Sequence, residues 1–146
     1  MTVYLDSAFV IRRLLGAGSD SGIWGKWDKA YASTLMRTEC FRAANMLRLE
    51  GKIDDDGRAR LGSWIETVCA SVVQVPVTEA VMRRAADAWP VSVGTLQAIH
   101  LATMQELEAV HGVKCEIASD DAALVKAARA LGFAEASMPV EAESGK

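Results

Sequence analysis

Three cysteines and two histidines in 146 residues leave little room for several kinds of chemistry. Cys40, Cys69 and Cys115 are odd in number, far apart and without metal-ligand spacing. That speaks against a zinc site or a disulfide framework and for free buried thiols in a reducing cytoplasm. No apolar run approaches the length of a membrane span. The opening MTVYLDSAF carries no basic segment ahead of its apolar residues, so it lacks a signal-peptide plan, and the expected location is cytoplasmic. There is no G-x-S-x-G elbow, and no cysteine pairs convincingly with a histidine, which leaves a nucleophilic triad unsupported. A Walker loop and a G-x-G-x-x-G turn are both missing. GAGSDSG at 16–22 is glycine-rich, but it follows a helical stretch rather than a strand and reads as a flexible loop. Positive charge is short too: net charge is −3 and the isoelectric point about 5.4. That argues against a protein that coats nucleic acid, but not against an enzyme touching it briefly. A surplus of acids suits a carboxylate site around a divalent cation.

What is present fits one globular domain over 1–140 with a flexible tail at 141–146: 51% apolar and 24% charged residues, enough to fold without staples. VYLD at 3–6 predicts a strand, and SAFVIRRLLG a helix ending at Gly16. IWGKWDKAY, with Trp24 and Trp27 three apart, predicts a short helix, and YAST at 31–34 a strand. Apolar residues from Met36 to Leu47 recur at helical spacing, and a further helix is expected over roughly 57–70. SVVQVPV at 71–77 reads as a β-run ended near Pro76, followed by a helix from Thr78 to Trp89. A helix over 95–110, a strand at 114–119, a helix closed by Gly132 and a last strand in FAEAS complete the chain. Alternating strands and helices predict an α/β domain with a mostly parallel sheet.

Sites in such sheets gather at the carboxyl ends of strands. Asp6 ends the first predicted strand, Asp120 and Asp121 follow the one at 114–119, and Glu39 opens the long second helix. Three distant stretches thus bring acids toward one rim. Each also has a simpler role: Asp6, Asp120 and Asp121 as helix N-caps, Glu39 as an acid favoured by the helix dipole. DDDG at 54–57 reads as cap and turn. Arg12, Arg13, Arg37 and Arg42 flank the first acids and suit either phosphate contact or a solvated helix face. In VGTLQAIHLAT, His100 sits on the stripe Leu96, Ile99, Thr103 and Leu107, where a hydrogen-bonded core histidine is the simpler reading than a ligand. His111 stands beside Gly112 at a helix end, where a cation suits the dipole.

Taken together, VYLDSAFVIRRLL, STLMRTECFRAANML, TLQAIHLATMQEL and ASDDAALVKAARALGF resemble, in order and spacing, a PIN-domain ribonuclease of the VapC toxin type found in bacterial toxin–antitoxin pairs. The resemblance covers nearly the whole chain. It implies a PIN-like fold, a central parallel sheet flanked by helices, and an acidic site for Mg²⁺ or Mn²⁺ that hydrolyses RNA through activated water. Asp6 matches the first acid and Glu39 the second; Asp121 is the better match to the last, with Asp120 a substitute. Ser7, Thr38 and Ser119 take supporting positions; among the flanking arginines, Arg12, Arg13 and Arg37 are the candidates for RNA contact, beside the reading as a solvated helix face. The resemblance further implies a homodimer, a VapB-type antitoxin as partner, transfer or ribosomal RNA as substrate, and no membrane; Trp24, Trp27 and Trp64 are candidates for apolar contact with the antitoxin, with core packing the simpler reading for at least one of them.

At the third acidic position the chain departs. VapC-type proteins read L-D-A-x-H-L-A where this chain reads LQAIHLA, so Gln97 fills the slot of a metal-binding aspartate and is at most a weak neutral ligand. Two expectations compete: a working ribonuclease with a depleted metal site, and a catalytically weakened PIN-domain protein that acts by binding antitoxin, itself or RNA.

Overall fold

A parallel strand buried on both faces must be apolar throughout, and the first strand meets that demand: Val3, Tyr4 and Leu5 are wholly buried. The structure, a computed structural model, describes residues 1–16 and 22–138. Most of the loop expected at 16–22 and the whole tail at 141–146 lie outside the described residues. The strands β1 (Thr2–Leu5), β2 (Lys29–Ser33), β3 (Val73–Val75) and β4 (Glu116–Ala118) pair in parallel in the order β3-β2-β1-β4. Six helices occur among the described residues: α1 (Ser7–Leu14), α2 (Leu35–Leu49), α3 (Asp55–Ser71), α4 (Glu79–Ala85), α5 (Thr95–His111) and α6 (Ala122–Ala130). The expected α/β class and parallel sheet are therefore present.

Period-two alternation divides the core. Val3, Leu5, Ala30 and Ala32 turn to one side and pack with Phe9 and Val10 of α1, Met36 and Cys40 of α2, and Leu61 and Ile65 of α3. Tyr4, Tyr31 and Ile117 turn to the other and meet Leu101, Met104 and Leu107 of α5 and Leu124 and Ala128 of α6. α4 rides on α5 through Val81, Ile99 and Ala102. The three cysteines are free and buried, and burial pushes the Cys40 thiol up to about 12 and Cys115 to about 11.

The strand order has a consequence for function. From β1 the chain steps through β2 to β3 on one side, then returns to place β4 against the other edge of β1. α1 leaves β1 toward one face while α6 leaves β4 toward the opposite face. Between the carboxyl ends of β1 and β4 the sheet therefore has a topological switch point, where α/β domains open a crevice.

Several local expectations shift. The stretch around Trp24 and Trp27 is a turn, not a helix: Gly25 takes a left-handed backbone (φ 73°), which ends any helical run. Trp24 instead packs on Phe9 (ring centroids 5.8 Å) and edge-on to Trp27 (5.5 Å). α3 starts at Asp55, earlier than expected, because the Asp54 side chain accepts the Gly57 amide proton at 2.7 Å. α4 stops at Ala85 rather than Trp89, and the indole of Trp89 folds back to donate to the Ala85 carbonyl at 3.0 Å. The last strand reduces to a single bridge between Ile117 and Glu135. Leu96 is half exposed, so the buried stripe of α5 begins at Ala98.

α5 ends on Gly112 in the left-handed region (φ 65°), with open space around the position a Cβ would take. Gly112→Ala therefore meets no clash and pays only for the backbone. It should lower the unfolding free energy by about 1 kcal/mol, seen as a lower urea midpoint at unchanged slope.

Candidate active site

The crevice at the switch point is where the acids meet. Asp6 follows β1 directly and Ser119 follows β4, and the Asp6 amide donates to the Ala118 carbonyl at 3.1 Å. Asp6 occupies the N-cap position of α1 in extended conformation, yet its side chain caps nothing. Its Oδ2 instead accepts a hydrogen bond from the Ser119 hydroxyl at 2.8 Å, and the residue is 6% exposed. The capping reading of Asp6 thus gives way to a buried carboxylate joined to the neighbouring strand end. Burial, first of all, pushes its carboxyl above the usual range; the charges of Glu39 and Asp121 add to this, against the Ser119 hydroxyl and His100.

Asp121 does cap: Oδ1 accepts from the Ala123 and Leu124 amides at 3.0 and 3.2 Å. Its own amide donates to Ser119 Oγ at 3.0 Å, so one serine organises both aspartates. Asp120 lies beside Arg12, with Oδ2 4.0 Å from a guanidinium nitrogen and its side chain largely buried.

Glu39 lies one turn inside α2, not in its first turn, so the dipole account of its position does not apply. Ser7 Oγ donates to Glu39 Oε1 at 2.8 Å, and His100 Nε2 lies 2.7 Å from the same oxygen. Burial alone would push this carboxyl up; the hydrogen bonds from His100 and the Ser7 hydroxyl outweigh it and hold Glu39 below the usual range.

Gln97 is committed at both ends. Its Oε1 accepts the Gly94 amide proton at 2.9 Å, capping α5, and its Nε2 donates to Asp121 Oδ2 at 2.9 Å. This orientation of the amide is forced, because a backbone N–H only donates and a carboxylate only accepts. A neutral donor thus stands where the resemblance implies a negatively charged ligand.

The remaining expected positions divide. Ser7 and Ser119 support carboxylates as described, whereas Thr38 is exposed and, among the described residues, has no hydrogen bond to any of them. Arg13 stacks over Trp24, and Arg37 is paired with Glu66 at 2.5 Å and lies over Phe41. Arg12 alone of the three approaches the acids. Trp24 and Trp27 are half-buried against the first core; Trp64 is 49% exposed. Two participants went unforeseen. Tyr4, an apolar-looking strand residue, sends its hydroxyl to His100 Nδ1 at 2.7 Å; a tyrosine facing a histidine stripe was the available signal. Lys126 lines a cleft of about 430 Å³ that shares Ser119 and Asp120 with the site.

As to metal, no group of three or more His, Cys, Asp or Glu side chains among the described residues is arranged to hold an ion. The donors nevertheless fit Mg²⁺ in kind: they are hard anionic oxygens, and Mg²⁺ commonly keeps several waters while taking one or two carboxylates and a substrate phosphate. The raised carboxyl of Asp6, crowded by two further acids, is what a cation would relieve. Compared with protein-family models and with curated proteins, the chain matches none of them.

Proposed function

We propose that this protein is a PIN-like endoribonuclease of the VapC type whose metal site is thin and is completed by the RNA phosphate itself. The observation that carries the reading is the gathering of Asp6, Glu39 and Asp121, with Ser119 between the two aspartates, at the switch point of a parallel sheet. Asp6 and Asp121 would hold the cation, with Glu39 reached through water. When bound, Mg²⁺ or Mn²⁺ supplies charge screening at the scissile phosphate and a more acidic water. The chain's own part is to keep the carboxylates fixed. Ser119 holds Asp6, while Ser7 and His100 hold Glu39 as an ionised acceptor suited to orienting water. Arg12 and Lys126 stand at the rim as cations for the flanking phosphates. Transfer or ribosomal RNA as substrate, a homodimer and a VapB-type antitoxin belong to the same proposal. For the antitoxin, Trp64 with Leu14, Leu15 and Leu61 lines an apolar cleft of about 320 Å³ away from the acids.

The second reading, a PIN-like protein that mainly binds, is favoured by one observation: Gln97 is tied to Gly94 and Asp121 rather than offered to a cation. Cleavage of structured RNA at millimolar Mn²⁺ separates the two. The nuclease reading expects cleavage by the parent and a loss of about 100-fold or more in Asp6→Ala. Equal traces of cleavage in parent and Asp6→Ala would leave the binding reading standing.

A further inference from the structure

A line of hydrogen bonds runs out of the dry core into the acidic site. Tyr4 is fully buried and His100 is 2% exposed, whereas the Glu39 side chain is 24% exposed. The Tyr4 hydroxyl lies 2.7 Å from His100 Nδ1, and His100 Nε2 lies 2.7 Å from Glu39 Oε1. In a neutral imidazole the nitrogen facing a carboxylate must carry the proton, since the carboxylate only accepts. Nδ1 is then the acceptor, and Tyr4 is the donor that satisfies it. For the neutral ring the line therefore runs one way, from Tyr4 O–H to Nδ1 and from Nε2–H to Glu39, with Thr103 a second neighbour of the Tyr4 hydroxyl. Ser7 donates to the same Oε1, so two donors from α1 and α5 converge on one oxygen, and neither uses Oε2.

A buried histidine needs partners, and a core role alone would explain its two hydrogen bonds. It would not explain why the outer partner is a partly exposed glutamate, which water could solvate equally well. Nor would it explain why the imidazole tautomer is set by a tyrosine from the strand that also carries Asp6. Metal and catalytic carboxylates are held in this way by neighbours that fix their orientation.

We infer that His100, its tautomer set by Tyr4, is a positioning residue that fixes Glu39 through Oε1 and leaves Oε2 as the oxygen offered to water in the site. The role in catalysis rests on the ribonuclease reading; the positioning of Glu39 does not. Two measurements therefore separate them. In ¹⁵N spectra of the imidazole, the full chain is expected to show the Nε2–H form with Nδ1 unprotonated, and Glu39→Ala to shift the Nε2 signal. A Nδ1–H form, or a His100 spectrum indifferent to Glu39→Ala, overturns the inference whether or not RNA is cut.

In RNA cleavage, His100→Ala should lower kcat roughly 10- to 100-fold with KM for RNA little changed. His100→Gln, which keeps a terminal N–H donor, should recover most of the loss, and Tyr4→Phe should cost less than His100→Ala. Thermal unfolding of the same variants gives the folding effect. A loss that follows Tm rather than the presence of a donor, or a change confined to KM, overturns the inference. A parent that cuts no RNA sinks the ribonuclease reading, and the spectra then decide the positioning alone.

Discussion

Gln97→Asp should raise RNA cleavage at sub-saturating Mn²⁺ by about 10-fold or more, and should make folding stability depend on metal where the parent's depends on it little. The side chain now supplies two neutral groups, an acceptor for Gly94 and a donor for Asp121 Oδ2. Aspartate removes the donor and adds a charge beside the Asp121 carboxylate, which already acts on Asp6. Two like charges about 4 Å apart repel by roughly 4 kcal/mol at an effective dielectric near 20, and solvent screening at the open crevice brings this to about 2 kcal/mol. Without metal the variant should therefore melt several degrees below the parent. A cation reverses the sign of the same interaction, so adding Mn²⁺ should raise the variant's Tm by more than the parent's, by the mass-action relation between affinity and stability. The aspartate is one methylene shorter, so Gln97→Glu serves as the control that keeps the reach. Differential scanning fluorimetry across a Mn²⁺ series, with cleavage measured on the same samples, checks both halves. Metal-independent melting in both variants would count against a cation site at Asp6 and Asp121.

The parts of the site that were legible in the sequence are those fixed by one element alone. A strand buried on both faces is an uninterrupted apolar run, so VYL followed by Asp6 and the strand at 114–119 followed by Asp121 mark their own ends. A rim of acids follows once both strands are placed in one parallel sheet. What joins elements was not legible. Glu39 and His100 are 61 residues apart, and Tyr4 and His100 are 96. Their contacts depend on where α2 and α5 lie across the sheet, on opposite faces of β1, which no local pattern records. Nor does sequence say which way an amide turns: Gln97 was readable as a neutral metal ligand, but its oxygen is taken by Gly94. The tryptophans at 24 and 27 illustrate the opposite fault. A spacing of three suits one helix face, and it equally suits a turn at Gly25 that lays Trp24 against Phe9 and Trp27 edge-on to Trp24.

Asp6→Asn should abolish metal-dependent cleavage and at the same time make the protein more stable at neutral pH, by about 1 kcal/mol or roughly 4 °C in Tm. The sign follows from the raised carboxyl of Asp6. A carboxyl that is harder to ionise in the folded chain than in the unfolded one contributes its stability in the protonated form. That contribution is present below the ordinary aspartate value of 3.8 and is lost as pH rises through the higher folded value. At neutral pH the ionised, buried Asp6 is therefore a net burden on the fold. Asparagine removes the charge and still offers Oδ1 to the Ser119 hydroxyl. The stability gap between Asp6→Asn and the parent should accordingly close as pH is lowered toward the ordinary aspartate value. Glu39 supplies the contrast within the same site. Its carboxyl is held low by His100 and Ser7, so its contribution is present above the ordinary value of 4.5 and is lost as pH falls through the lowered one. Glu39→Gln should then be destabilising at neutral pH. Opposite signs from two acids that share one crevice are the expectation for a site in which one carboxylate is kept under electrostatic load and the other is kept firmly ionised. Urea unfolding of the three proteins between pH 4 and neutrality reads both signs, and a loss of stability in Asp6→Asn at neutral pH would show that Asp6 is a structural anchor rather than a carboxylate kept for a ligand.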